Sequence, residues 1–411
     1  MMPVKWKSAK RFKPEVVLAQ FGKTRSINSD GSISFPDFQI HQDAATLYSM
    51  LEFPDVASGM DKPSLVWHAM FNARPDLTAA SFIEAINKEL NSSLGKQEEI
   101  YHFLATISFD ASKWPKTISV PEAKINFYGS KFPKKFSSRE RLIDEHAEEI
   151  DLPKVSRNYC AIGVKIKAKS NLAAANKALQ AIDLFRAILC LQGNSGMQII
   201  FGGNAHKPIN VVRMGSLQSL HKENGSEACD AVWYEPSYRE APIFKFEKPD
   251  IARENFGYAI RRIRLSKFGK EIAESLVRYA RALDDPDPNT AFLRLWGAFE
   301  SLLTPGHADY DELVSRCCFI LKDSEYHKQV LMHLREYRNA SVHAGQETDQ
   351  ARTNCFLLQD YYRNLLWFLV ARSISFKSLA EAHEFLSMPN NMDLLLKQRR
   401  LLDKAIKFLS P

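Results

Sequence analysis

The chain has 411 residues, of which 45% are hydrophobic and 25% charged, and it carries a net charge of +7. That length suits two domains better than one core, and the balance is that of an ordinary folded protein, not a disordered or fibrous one. It contains no run of the roughly eighteen apolar residues that a spanning helix needs, so neither a membrane span nor a membrane partner is expected. The first thirteen residues are basic but lack an apolar stretch, which argues against a secretory signal and for a cytoplasmic location. The six cysteines, Cys160, Cys190, Cys229, Cys317, Cys318 and Cys355, include no Cys-x-x-Cys pair and lie mostly in apolar segments. Reduced, buried thiols fit that pattern better than a zinc site or disulfides. A pI near 8.9 is compatible with nucleic acid without singling it out.

Residues 1–155 read as mixed and loop-rich. Strands are expected around 32–35, 101–109, 118–120 and 125–128, and helices over 77–90 and 138–150, the second capped by Ser138. Alternation over 161–167 predicts a half-exposed strand, and apolar spacing over 172–191 predicts a strong helix. Two more strands are expected at 197–201 and 209–213. The glycine-rich turns beside them match neither phosphate-loop nor dinucleotide fingerprints, which leaves His206 a weak site candidate. Residues 220–250 look like a connection between domains.

From Phe256 onward the pattern is helical almost without interruption. Helices are predicted over 260–283, 290–303, 311–321, 325–344 and 351–374, with shorter ones over 379–386 and 393–409. The segment 284–289, rich in Asp and Pro, breaks the first and offers caps for the second. The expected fold is therefore α+β: a mixed α/β region over 1–245, with a possible division near 155, then an all-α antiparallel bundle over 250–411. Basic residues cluster at 5–13, 131–141, 253–270 and 397–407, where a solvated helix face competes with a nucleic-acid surface as the explanation.

The most chemically loaded stretch is His333-Leu-Arg-Glu-Tyr-Arg-Asn-Ala-Ser-Val-His-Ala-Gly345. Leu331, Leu334, Tyr337 and Val342 supply apolar contacts at helical spacing, and Gly345 is placed to end the helix. Arg338, Asn339 and His343 are polar. Residues five apart on a helix are separated by about 7.5 Å along the axis, which the long Arg stem can bridge. The spacing alone proves little, since Arg-x4-His also occurs from Arg141 to His146, where Asp144 and Glu145 would repel a phosphate. Context separates the two. About forty residues before the first copy lies Arg294-Leu-Trp-Gly-Ala-Phe-Glu-Ser-Leu-Leu-Thr-Pro305. Together the two segments resemble the HEPN superfamily, particularly its ApeA-like branch. There a helix of the form W-x-x-x-E-x-L-L, here Trp296, Glu300, Leu302 and Leu303, precedes one carrying R-N-x-x-x-H, here Arg338, Asn339 and His343. The resemblance covers roughly 255–375.

That resemblance implies a HEPN-like bundle and endonucleolytic RNA cleavage without metal or other cofactor, in prokaryotic anti-phage defence or as a toxin. The ribose 2′-hydroxyl would attack phosphorus, leaving 2′,3′-cyclic phosphate and 5′-hydroxyl ends. His343 would exchange protons near neutral pH, Arg338 would meet charge on the phosphoryl oxygens, and Asn339 would bond a phosphate oxygen or orient His343. Glu300 is a supporting candidate that can face the motif helix, or a salt-bridge partner of Arg338 or a helix end. Arg335 either adds phosphate affinity or is a surface ion pair. His327 and His333 read as exposed. The implied partners are RNA (tRNA or mRNA), a second subunit through the bundle, and a phage-derived trigger. The alternatives are a non-catalytic RNA-binding or dimerisation protein, or a sensor of a nucleotide or phage protein whose bundle transmits the signal.

Overall fold

A computed structural model describes residues 3–8, 11–24, 26–27, 33–34, 39–57, 60–72, 78–150, 158–198, 207–235, 238–305, 310–344 and 350–410. The side chains of 24, 26–27, 33–34, 147–150, 343 and 344 lie outside that description. The fold is α+β, as expected. Two compact units form, Met1–Tyr101 with Ile166–Lys177, and His102–Lys165 with Ala178–Pro411. The division thus falls neither near 155 nor near 245.

The first unit is mainly helical where a loop-rich segment was expected. It contains β1 (Lys5–Trp6), α1 (Pro14–Thr24), β2 (Ser26–Ile27), β3 (Ile33–Ser34), α2 (Gln39–Met50), β4 (Leu51–Glu52), α3 (Lys62–Asn72) and α4 (Ala79–Gly95). The strands make two small antiparallel pairs, β1 with β4 and β2 with β3. Strand β3 and helix α4 are legible in the sequence, and Thr78 and Ser81 close a capping box at the start of α4. Its stripe of Phe82, Ile86 and Leu90 packs with Leu18, Phe21, Leu47 and Leu65 into one core. Asn87 clamps the N-terminal strand, accepting from Val4 N at 2.8 Å and donating to Val4 O at 3.2 Å.

The second unit joins a sheet to a helical array. Its first elements, of which β5, β8 and α6 have one end in the first unit, are β5 (Glu99–Ile107), β6 (Thr117–Val120), β7 (Ala123–Gly129), α5 (Ser138–Ile150), β8 (Cys160–Ala168), α6 (Asn171–Gly193), β9 (Leu217–Lys222) and β10 (Glu227–Tyr234). They build a six-stranded sheet in the order β10-β9-β5-β8-β7-β6. Four expectations change here. β8, expected half-exposed, is buried along nearly its whole length, because it is a central strand. Ser138 does not cap α5; its hydroxyl is buried without a partner. Residues 209–213 are not a strand, because their amides bond elsewhere: Ile209 N and Asn210 N donate to Leu283 O, and Val211 N donates to Asn194 Oδ1. The supposed connection at 220–250 instead supplies the β9–β10 hairpin, turned at Asn224-Gly225 with Gly225 at φ +95°. Of the strand expected at 197–201, residues 197 and 198 are not in a strand, and 199–201, like the candidate His206, lie outside the described residues.

Helices fill the rest of the chain: α7 (Pro249–Leu265), α8 (Gly269–Leu283), α9 (Pro288–Leu303), α10 (Tyr310–Cys318), α11 (Ser324–Ala344), α12 (Ala351–Arg372), α13 (Leu379–Leu386) and α14 (Met392–Leu409). The single helix expected over 260–283 is two. Ser266 adopts an extended backbone, and a Cβ on Gly269 would stand 1.9 Å from the carbonyl oxygen of Ile263, so only glycine permits the corner. Asp287 caps α9, accepting from Thr290 N at 2.7 Å.

A buried polar junction makes sheet and helices one unit. Arg186 on α6 is fully buried; it donates to Asp183 at 2.6 Å, to Asp284 at 2.8 Å and to the carbonyl of Val212 at 3.1 Å. Arg281 on α8 adds bonds to Asp183 at 2.5 Å and to Glu235 at 2.8 Å. Burial works to raise the Asp284 carboxyl, but the charge and hydrogen bond of Arg186 together with the charges of Arg213 and Arg281 outweigh it and hold the group below its ordinary value. Beside this lies an amide network in which Asn194 donates to Asn210, Tyr279 and Gln359, while Tyr279 stacks on Tyr362 of α12 at 4.8 Å.

Two outcomes follow from burial. Asp284→Asn leaves Arg186 short of charge in a dry site and should cost about 3 kcal/mol or more, read as a lowered denaturant midpoint at unchanged slope. Burial, then the charge of Lys135, pushes the His102 imidazole from 6.5 down to about 4. The folded state therefore holds the neutral ring, and its contribution is complete above the unfolded pKa and lost as pH falls from about 6.5 towards 4. His102→Phe should flatten the stability–pH curve across that window, and denaturant titrations at pH 4.5 and 7 measure the slope.

Candidate nucleic-acid active site

The motif helix α11 is oriented by its apolar side. Leu331 and Leu334 are fully buried. The Tyr337 ring sits edge-on to Phe292 of α9 at 4.8 Å, and its hydroxyl donates to Asn289 in the first turn of that helix. Val342, expected to pack inward, is instead 48% exposed, because the last turn of α11 runs past the core. With Tyr337 anchored, the next residue turns away from the core.

Arg338 is half-buried, and its guanidinium lies over the ring of Tyr310, the first residue of α10, at 5.1 Å. Trp296 of α9 in turn packs against Tyr310 at 6.3 Å. Arg338 also makes a long bond to Asn339 Oδ1 at 3.4 Å. No carboxylate pairs with Arg338 among the described residues. A cation held by a ring face keeps its planar donor edge available. Asn339 uses its oxygen on Arg338, which leaves its amide hydrogens as donors. His343 lies on the same unbroken helix, in its last turn, so the spacing expected for Arg338 and His343 holds along the backbone. The imidazole belongs to the side chains outside the description.

The other candidates separate from this pair. Arg335 is an ion-pair partner, bonding Asp311 at 2.7 Å and Glu336 at 3.1 Å. Glu300 does not face α11. It lines a groove of about 740 Å³ with Glu271, Glu274 and Arg278 of α8 and the first residues of α13, and no residue of α11 lines that groove. The reason is position along the helix: α9 meets α11 through Asn289 and Phe292 in its first two turns, and Glu300 follows Phe292 by eight residues, about 12 Å along the axis. His333 is exposed as expected, whereas His327 is half-buried with Nδ1 2.9 Å from the Tyr361 hydroxyl. Tyr310 and Asn289, which position the motif, carry no signal in the sequence that would have singled them out.

The second Arg-x4-His copy on α5 differs in charge. Arg141 is bound by Glu145 at 2.8 Å and Glu227 at 2.6 Å, so its donors are already used. Glu145, His146 and Asp230 bring possible metal donors within 4.8 Å of one another. With Glu145 already held by Arg141, that group reads as an exposed ion pair. Of the basic clusters, 131–141 is partly structural, since Arg139 is buried and donates to Ser219 Oγ at 2.7 Å and Leu217 O at 2.9 Å. On α7 and just beyond it, Arg261, Arg264 and Lys267 are exposed. Comparison of the chain with protein-family models, with curated proteins and with solved structures finds no match in any of the three.

The contrast between two arginines checks that Arg338 is not a structural group. Arg316 is buried and ties the end of α9 to neighbouring helices, donating to Leu303 O, to Glu312, and to Ser387 Oγ at 3.0 Å. Arg316→Ala should cost about 2–4 kcal/mol in chemical denaturation, against about 1 kcal/mol or less for Arg338→Ala.

Proposed function

We propose that the chain is an endoribonuclease whose reactive helix is α11. The observation that carries this reading is the state of Arg338: a guanidinium without an acidic partner among the described residues, steadied by Tyr310 and flanked by Asn339, on the helix that ends with His343. The resemblance to HEPN ribonucleases, from Trp296 and Glu300 through Arg338, Asn339 and His343, supplies the reaction class. The 2′-oxygen forms a bond to phosphorus as the bond to the 5′-oxygen breaks. His343 takes the 2′ proton or returns one to the leaving oxygen, and a partner subunit's copy of this helix would supply the complementary role. Arg338 meets the charge that develops on the non-bridging oxygens. Glu300 is omitted from this scheme because it faces the other groove. A cytoplasmic setting, tRNA or mRNA as substrate, and release by a phage-derived trigger complete the reading.

A second reading, RNA binding without cleavage, is favoured by the exposed Arg261, Arg264 and Lys267. The two are separated by incubating wild type, Arg338→Ala and His343→Ala with total RNA and tRNA in EDTA, with and without lysate from infected cells, and mapping the ends. Cleavage by wild type to cyclic phosphate and 5′-hydroxyl ends, reduced about 100-fold or more in each variant, is the expected result. Equal cutting by all three proteins sinks the proposal. Salt-sensitive RNA retention without new ends establishes the second reading.

A further inference from the structure

Helix α14 stands apart from every other long helix of the chain: none of its 18 residues is buried. Most of its apolar positions nevertheless gather on one face, with Met392 and Leu396 off it and Gln398 within it. Leu394, Leu401, Ala405 and Phe408 form one row, and Leu395, Leu402, Ile406 and Leu409 form the adjacent row. Exposure along these rows reaches 63% at Leu402, 62% at Ile406, 87% at Phe408 and 78% at Leu409. Most helical stability in proteins comes from packing such a face, so the sequence is written for a cover.

Charge decides which cover. The helix carries five basic residues, Lys397, Arg399, Arg400, Lys404 and Lys407, against Asp393 and Asp403. At about 100° per residue, Lys397 and Lys404 border one edge of the apolar face and Arg399 borders the other. A second copy of the helix would satisfy the apolar rows but bring basic edge against basic edge. An anionic bilayer satisfies both features, because acyl chains take the apolar face and headgroups meet the cations on both flanks. We infer that α14 is a membrane-surface helix that lies in the headgroup layer of an anionic bilayer. The expectation of no membrane rested on spanning length, which a helix lying on the surface does not need. No helix among the described residues is long and apolar enough to cross a membrane. This inference is independent of the chemistry assigned to α11.

The test uses the full chain with sedimented vesicles of phosphatidylcholine, alone or with about 30% phosphatidylglycerol. Wild type should pellet at least about tenfold more with the anionic vesicles, and the excess should fall in high salt. Leu402→Glu with Phe408→Glu, and separately Lys397→Glu with Lys404→Glu, should each abolish it. Thermal midpoints should stay unchanged, since α14 buries nothing in the bundle. In a Phe408→Trp protein the indole emission should shift to the blue on anionic vesicles. Equal pelleting by wild type and both double variants overturns the inference. So does a wild type that ignores vesicles but halves its solution mass on Leu402→Glu with Phe408→Glu, which would make α14 a seam between copies.

Discussion

The burial of Arg186 is the constraint on which most of the second unit depends. A guanidinium with no solvent contact needs its charge met by the protein, and the partners of its two terminal nitrogens come from far apart in the chain: Asp183 one turn earlier on α6, Asp284 at the end of α8, and the carbonyl of Val212. Meeting that demand places the end of α8 against α6. It also takes residues 209–213 out of the sheet, because Leu283 and Asp284 receive their donors. A few residues on, Asp287 caps α9, and α9 presents Asn289 and Phe292 to Tyr337. The orientation of the motif helix is thus traceable, contact by contact, to one buried cation. It also explains why no boundary near 245 separates the sheet from the helices.

The two Arg-x4-His segments show how little a short motif says until its surroundings are known. Both lie on helices, with the same spacing between a permanent cation and an imidazole. On α5 the neighbouring carboxylates of Glu145 and Glu227 bind Arg141, which becomes a surface ion pair. On α11 an aromatic face stands against the guanidinium, and no carboxylate among the described residues neutralises Arg338. A ring supports a cation through its quadrupole and leaves the N–H edge open, whereas a carboxylate occupies that edge. This difference lies wholly in which element each arginine folds against. Arg335, three residues before Arg338, takes the ion-pair outcome through Asp311.

Elements with a dense apolar stripe were legible in the sequence. Helices α6, α9, α11, α12 and α13 and the buried strand β8 fall within a few residues of where periodicity puts them, and the Asp-Pro segment stops and caps as its chemistry dictates. So were Arg338, Asn339 and His343 as one group on one helix, because helical spacing is a local property. The misses share a cause. Helices α1 to α3 are short, with apolar stripes too sparse to stand out, and they cohere only through a core assembled from several of them. Strand β9 buries Gln218, Ser219 and His221, which no hydrophobic pattern announces; Arg139 reaches Ser219 from a distance, and nearby backbone meets the Gln218 amide nitrogen and the His221 ring. The corner at Gly269 exists to avoid Ile263, and Glu300 lines the α8 groove because it lies about two turns beyond the part of α9 that meets Tyr337. The sequence by itself determined which segments are regular and which residues share a helix. Only the tertiary structure decided which arginine meets a ring and no carboxylate among the described residues, and which carboxylate lines another groove, because those outcomes depend on partners brought together from distant parts of the chain.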